Sequence, residues 1–224
     1  MLKNKNPIRV FINFICKPFT LVLKLKIVIE NLLLKMLNYK FLGGIPMLKS
    51  IKVNLEAIEA MLYFWQAASE KENVAESFFY DVASMRGMKL AYNTDFNAES
   101  VRKVLSAIKN RELLSDATKA EKRFWNNNMW MMEDLEYTSS MAAPIKVLNL
   151  DPMIQLINER IPDIKNEELE VIFAPLHLEE YYVKDNTLII NFFRVKPSDF
   201  DDNTFIGEVK LEDYIMEKLM AMCK

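Results

Sequence analysis

The residues best suited to acid–base chemistry are one histidine and two adjacent carboxylates. His177 is the only histidine among the 224 residues, so a catalytic arrangement of a nucleophile with histidine would have to use it. Glu133 and Asp134 are neighbours, and paired carboxylates can transfer protons or bind a divalent cation. Catalysis would need burial to shift a pKa, and no local pattern indicates burial of this pair. The sequence therefore favours a solvated helix end for the carboxylates and a structural or surface role for His177.

A dense cluster of aromatic, amide and methionine side chains covers residues 123–132. Trp125, Met129 and Trp130 could contact a small planar ligand or a protein partner, because indole rings and flexible thioethers suit both. Helical spacing favours a simpler interpretation, in which Phe124 and Met131 face the core and the asparagines are solvated. Trp125, Met129 and Met132 then form a second apolar stripe on the same helix. Two stripes predict burial on both sides of the helix, and hence a homo-oligomer.

Two weaker candidates for ion binding lie nearer the C-terminus. Asp199, Asp201 and Asn203 match the opening of a calcium-binding loop, but Thr204 stands where that loop needs glycine. The segment is better interpreted as an acidic turn. Arg194 is an isolated basic residue in an apolar context, where it could hold an anion or form a buried ion pair.

Several classes of site are excluded by composition. Residues 47–224 contain only Gly87 and Gly207, too few for the glycine-rich loops that hold nucleotide phosphates. A single histidine rules out multi-histidine metal centres, so we predict no cofactor and no metal. Cys16 and Cys223 are the only cysteines. Residues 47–224 therefore cannot form an internal disulfide, which is typical of a reducing cytoplasm.

The charge of the chain is divided unevenly between two segments. Residues 1–46 hold eight basic residues and one acidic residue, a net charge of +7, whereas residues 47–224 hold 21 basic and 30 acidic residues, a net charge of −9. An acidic body argues against nucleic-acid binding, which needs a basic surface.

Residues 1–46 are predicted to be an upstream extension that does not belong to the fold. The codons of Gly43 and Gly44 would resemble a bacterial ribosome-binding site placed before Met47, which favours Met47 as the biological start. Charged residues interrupt every apolar run, so neither a secretory signal nor a membrane-spanning helix is predicted. The alternative is a basic amphipathic helix that lies on an anionic membrane surface.

Residues 47–224 are predicted to form one α+β domain, with a helical half over 47–141 and a sheet-containing half over 142–224. The first half shows helical spacing in about four segments, of which Asn54 can cap the first and Ser115 or Asp116 the fourth. The second half has the patterns of short strands and two helices. Its predicted elements are a strand over 145–150, a helix from Asp151 to Pro162, a strand over 168–173, a hairpin of 180–184 with 187–195, an edge strand over 205–210 and a helix over 211–222. The predicted fold is a group of about four helices followed by a small antiparallel sheet of three to four strands with a C-terminal helix.

Three hypotheses for the function follow. The first is a non-enzymatic, regulatory or immunity-type protein of the bacterial cytoplasm that acts by binding a protein partner or by self-association. The second is a small hydrolase-like enzyme in which His177 meets carboxylates. The third is a membrane-surface protein attached through residues 1–46. A deep polar pocket that joins His177, Arg194 and Glu133 or Asp134 would favour the enzyme, and an apolar surface rich in Trp and Met would favour binding.

Overall fold

The computed structural model describes residues 47–224 and, in the preceding segment, only the helical residues Lys26, Ile29 and Glu30. Residues 47–224 belong to one compact unit. The predictions for residues 1–46, an upstream extension that does not belong to the fold or a membrane-surface helix, lie outside the described residues.

Residues 47–224 have an α+β fold that ends in a helix, which confirms the predicted class. The helices are α1 (Glu56–Ser69), α2 (Glu76–Ser84), α3 (Arg86–Lys89), α4 (Ala98–Asn110), α5 (Lys119–Glu133), α6 (Leu135–Lys146), α7 (Asp151–Arg160) and α8 (Leu211–Met222). The strands are β1 (Ser50–Asn54), β2 (Glu168–Ala174), β3 (Tyr181–Lys184), β4 (Thr187–Asn191), β5 (Val195–Pro197), β6 (Thr204–Ile206) and β7 (Val209–Lys210). A short 3-10 helix, Phe192–Arg194, joins β4 to β5.

The main sheet has four strands in the order β1-β2-β4-β3. Strands β1, β2 and β4 are parallel, with Val53 opposite Val171 and Val171 opposite Leu188. Only β3 is antiparallel to its neighbour. The sheet is therefore mixed, whereas the sequence predicted an antiparallel one without β1. Five residues at the start of the domain give a weak strand signal, and their pairing with β2, more than 100 residues later, leaves no local pattern.

The hairpin of β3 and β4 confirms the predicted turn, but β4 ends at Asn191, and residues 192–194 of the predicted strand form the 3-10 helix. Asp185 adopts a positive φ of 54° in the turn, a backbone conformation that Asp tolerates better than most residues. Every residue of β4 is buried, and the strand lies between β2 and β3. The smaller sheet, β5-β6-β7, is antiparallel, and the predicted edge strand over 205–210 is divided by Gly207, which has a φ of 60°.

Helix α3 approaches the main sheet closely. A Cβ atom on Gly87 would lie 2.8 Å from Cγ2 of Ile172 and 3.1 Å from Cβ of Ala174. Glycine is therefore needed at position 87 for close contact between helix and sheet. The same contact is held by Arg86, whose guanidinium donates to Glu170 at 2.9 Å and to Thr187 at 3.0 Å.

The predicted strand over 145–150 is wrong. Helix α6 continues through Pro144 to Lys146, so it also crosses the predicted boundary between the helical and the sheet-containing half. Pro144 lies in the last turn, where the loss of one backbone donor disturbs little of the helix.

The fourth predicted helix begins later than expected and is divided in two. Thr118 caps α5, in place of Ser115 or Asp116, and forms a capping box with Glu121. Asp134 leaves the helical conformation, with φ −128° and ψ 81°, and separates α5 from α6. Ser115, Asp116 and Thr118 are all residue types that cap helices well, so the sequence alone does not show which of them is the cap.

Candidate functional site

His177 lies in the loop between β2 and β3, and only 1% of its surface is exposed. Its ring stacks on Phe96, with the ring centroids 4.2 Å apart and an angle of 15° between the planes. The ring of Tyr182 lies 6.4 Å away. The histidine is therefore enclosed by aromatic rings.

Asn93 determines which nitrogen of His177 carries the proton. The side-chain oxygen of Asn93 accepts from the backbone N–H groups of Asp95 at 2.9 Å and Phe96 at 3.0 Å. Its amide nitrogen therefore donates to Nε2 of His177, 3.2 Å away. Nε2 must then be the acceptor and Nδ1 the protonated nitrogen. Nδ1 is buried and has no hydrogen-bond partner among residues 47–224.

Burial lowers the pKa of His177 to about 4, because the charged imidazolium loses its hydration. The two carboxylates proposed as its partners are used elsewhere or exposed. The Asp134 carboxylate accepts from the backbone N–H of Tyr137 at 2.9 Å and begins α6, and Glu133 is exposed. Within the described part of the chain, no hydrogen bond joins His177 to Glu133 or Asp134.

The acidic turn near the C-terminus is held by its own hydrogen bonds. The hydroxyl of Ser198 accepts from the backbone N–H groups of Phe200 and Asp201, and Asp201 accepts from the backbone N–H of Asn203 at 3.0 Å. A side-chain hydrogen bond from Ser198, followed by the bonds from the backbone and side chain of Asn203, lowers the pKa of the Asp201 carboxyl. Asp199 is exposed, and no three His, Cys, Asp or Glu side chains of the described residues are grouped so as to hold a metal ion. The interpretation as an acidic turn fits this geometry.

Arg194 lies in the 3-10 helix after β4 and is half-buried. It takes part in none of the ion pairs found in residues 47–224. The interpretation as a buried ion pair therefore has no support among these residues.

Helix α5 presents one side to the core and the other to solvent. Phe124 and Met131 are buried as the spacing predicts, and Met132, which was predicted to lie on the second stripe, is buried in the same core. Asn128 is also fully buried, against the expectation that the asparagines are solvated. It accepts a hydrogen bond from the indole N–H of Trp65 at 2.9 Å and donates to the carbonyl of Phe124 at 2.8 Å. A buried amide is stable here because both of its ends are paired.

The opposite side of α5, with the two leucines that precede it, forms the α5 surface. Trp130 is 68% exposed and Leu113 is 90% exposed. Trp125 and Met129 are half-buried, and Lys122 is exposed. We define the α5 surface as Leu113, Leu114, Lys122, Trp125, Asn126, Met129, Trp130 and Glu133.

A groove of about 370 Å³ opens at the N-terminal end of the α5 surface. Trp125 lines it, and the indole nitrogen of this residue is buried with no acceptor among the described residues. The other lining residues are Leu113, Leu114, Lys122 and Asn126. A second groove, of about 280 Å³, lies between α1 and α6 and has a floor of small residues that includes Ala142 and Ala143.

The structure brings together three of the predicted contact residues, Trp125, Met129 and Trp130, and adds Leu113 and Leu114. These two leucines were missed because they belong to a polar connection and have no helical periodicity. Two consecutive leucines in a connection full of charged and polar residues were the available signal.

The chain matches no protein-family model, no curated protein and no solved structure. Among the helices of the described residues, none combines the length and the apolar character needed to cross a bilayer.

Proposed function

We propose that this chain acts by binding a protein partner or by self-association, in a regulatory or immunity-type role, and that it is not a catalyst. The supporting observation is the α5 surface, where apolar side chains from one helix and the preceding loop are exposed side by side. Patches of this kind on a folded domain typically mark interaction sites. Leu113 and Trp130 are the clearest members of this patch, because their exposed side chains contribute little packing within the domain.

A partner that covers the α5 surface would gain free energy by burying its exposed apolar side chains. Complete burial of a large apolar side chain contributes roughly 1.5–3 kcal/mol, and tryptophan is the residue most enriched among those that dominate protein interfaces. Trp130 is 68% exposed and Leu113 is 90% exposed, so most of that gain is still available to a partner. Adjacent exposed polar groups, Lys122 and Asn126, suit the rim of such an interface.

The hydrolase hypothesis has less support from geometry. A catalytic histidine must reach a nucleophile or a substrate proton, whereas His177 is 1% exposed and packed against Phe96. Its acceptor nitrogen is already occupied by Asn93. The membrane-surface hypothesis depends on residues 1–46 and draws nothing from the described residues.

The proposed compartment is the reducing cytoplasm of a bacterium. Cys223 is buried and free, and residues 47–224 contain no second cysteine with which it could pair. The net charge of −9 in this segment supports a protein partner over nucleic acid.

Photo-cross-linking in the native host tests the proposed function. We would place p-benzoylphenylalanine at the position of Trp130 and, as a matched control, at the position of Tyr63, which is 51% exposed on α1. The expected result is a protein adduct from position 130 that position 63 does not give. Equal labelling from both positions, or a hydrolytic activity that His177→Ala abolishes, would contradict the proposal.

A further inference from the structure

We infer that the partner of the α5 surface is a second copy of the same chain, bound by antiparallel packing of α5 on α5 about a two-fold axis. The inference rests on the proposed function, because it names the occupant of the same surface. It is carried by three properties of α5: the order of its charges, the spacing of its apolar residues and the position of the groove.

The charges of α5 are ordered against its own helix dipole. Lys119, Lys122 and Arg123 lie in the first turns, Glu133 ends the helix and Asp134 follows it. Basic groups are unfavourable at the positive N-terminal end of a helix, and acidic groups are unfavourable at the negative C-terminal end. An antiparallel neighbour reverses both effects, since it brings acidic groups to the basic end and basic groups to the acidic end.

These charges are also available for pairing. Lys122 and Glu133 are both exposed, and neither takes part in an ion pair within residues 47–224. The one acidic residue of the first turn, Glu121, is already used by Thr118 and Lys103. The exposed face of α5 thus keeps a basic end and an acidic end.

One register satisfies the charges and the apolar residues together. If Lys122 lies level with Glu133 of the second copy, antiparallel geometry brings Trp125 level with Trp130 and Asn126 level with Met129. The two-fold axis repeats each of these pairs, so every contact is made twice. All of these pairs follow from the single alignment of Lys122 with Glu133.

The same register brings Trp130 of each copy level with the groove of the other. The groove volume of about 370 Å³ is large enough for an indole, and its leucine and tryptophan walls offer apolar contact. Leu113, at the edge of the groove, would be covered by the second copy. A self-complementary surface of this kind is what an isologous dimer requires.

Charge complementarity distinguishes a second copy from other partners. The domain as a whole is acidic, which would favour a basic partner at any exposed point. The α5 surface instead carries Lys122 at one end and Glu133 at the other. An antiparallel second copy of this surface places a Glu133 beside each Lys122. A uniformly basic partner would place a positive group beside Lys122.

The first experiment is sedimentation equilibrium of the purified full chain over a range of concentrations. We expect a dimer for the unchanged chain, a monomer for Trp130→Ser and a dimer for the control Tyr63→Ser. Both substituted side chains are more than half exposed, so neither change removes a buried side chain, although Tyr63→Ser loses an edge-on contact with Phe78. A Trp130→Ser protein that remains dimeric would overturn the inference.

The second experiment tests the antiparallel register by charge reversal. Lys122→Glu and Glu133→Lys should each weaken dimerisation about tenfold, because each reversal turns two symmetric attractions into repulsions. The double variant restores opposite charges at both pairs, so we expect its dissociation constant to return close to that of the unchanged chain. Both single changes also improve the match between charge and helix dipole, so unfolding of α5 cannot explain a loss of dimer.

The outcomes separate the inference from the function on which it rests. A monomeric unchanged chain that still gives an adduct with a different protein at position 130 would overturn self-association and leave the binding function standing. A monomer without any adduct would overturn both. If Trp130→Ser, Lys122→Glu and Glu133→Lys all leave dimerisation unchanged, the chains associate through another surface and the inference is wrong.

Discussion

His177 shows how one buried side chain can couple folding to pH. Its enclosure by Phe96 and Tyr182 disfavours the charged form, and the hydrogen bond from Asn93 fixes the neutral tautomer. The folded protein therefore resists protonation down to a pKa of about 4, whereas the unfolded chain takes up the proton near pH 6.5. Between these values the unfolded state binds more protons, so acid favours unfolding.

We predict that His177→Leu makes the stability of the protein less sensitive to pH between 7 and 5. The free energy of unfolding of the unchanged chain should fall over this interval by about 2 kcal/mol more than that of the variant. Urea titrations at pH 7, 6 and 5 give both values. The carboxylates titrate alike in both proteins, so their contribution cancels in the comparison. If the free energies of unfolding of the two proteins changed equally with pH, the burial of a neutral His177 would be contradicted.

The start of α5 illustrates how a helix boundary is chosen. Thr118 accepts from the backbone N–H of Glu121 at 3.1 Å, and the Glu121 carboxylate accepts from the backbone N–H of Thr118 at 3.0 Å. The hydroxyl of Thr118 also donates to the carbonyl of Asp95 at 3.1 Å. Ser115 has none of these contacts, although its residue type is an equally good cap.

We predict that Thr118→Ala lowers the free energy of unfolding by about 1 kcal/mol, the usual loss for a helix cap. The matched control is Ser115→Ala, which should leave stability unchanged within about 0.5 kcal/mol because the residue is an exposed surface position without a cap role. Thermal or urea unfolding measures both. If Ser115→Ala proved the more damaging change, Ser115 would be the true cap.

Trp65 connects the helices of the first half to the chain that follows the main sheet. Its ring stacks on Phe192 with a centroid distance of 5.7 Å and lies 6.2 Å from Phe193. Its indole N–H donates to Asn128 on α5. One cluster of buried apolar residues runs from Leu48 to Cys223, so the two halves share their core.

We predict that Trp65→Ala lowers the free energy of unfolding by about 3–5 kcal/mol, through the cavity it leaves and the unpaired amide of Asn128. Circular dichroism of the helices and fluorescence of the remaining tryptophans should report one common transition, shifted equally, because the core is continuous. Tyr63→Ala, at an exposed position of the same helix, is the control. Two separate transitions would show that the halves unfold independently.

Several local elements of this fold were predictable, but their arrangement was not. Asp185 and Asn186 between two apolar runs predicted the hairpin, and the apolar spacing from Leu211 predicted the C-terminal helix. The parallel pairing of β1 with β2 and the close approach of Gly87 to Ile172 depend on residues distant in the sequence. Part of the candidate surface was also predictable, because Trp125, Met129 and Trp130 share a helix, whereas Leu113 joins them only through the folding of the preceding loop.

The sequence alone determined the class of the fold, the acidic character of residues 47–224 and the exclusion of glycine-rich nucleotide loops and multi-histidine metal centres. These properties follow from composition and short-range periodicity, which tertiary contacts do not change. Only the tertiary structure decided that Asn128 is buried while Trp130 is exposed, and that His177 is enclosed away from the carboxylates. Burial is a property of what packs against a side chain, and those neighbours come from distant parts of the chain.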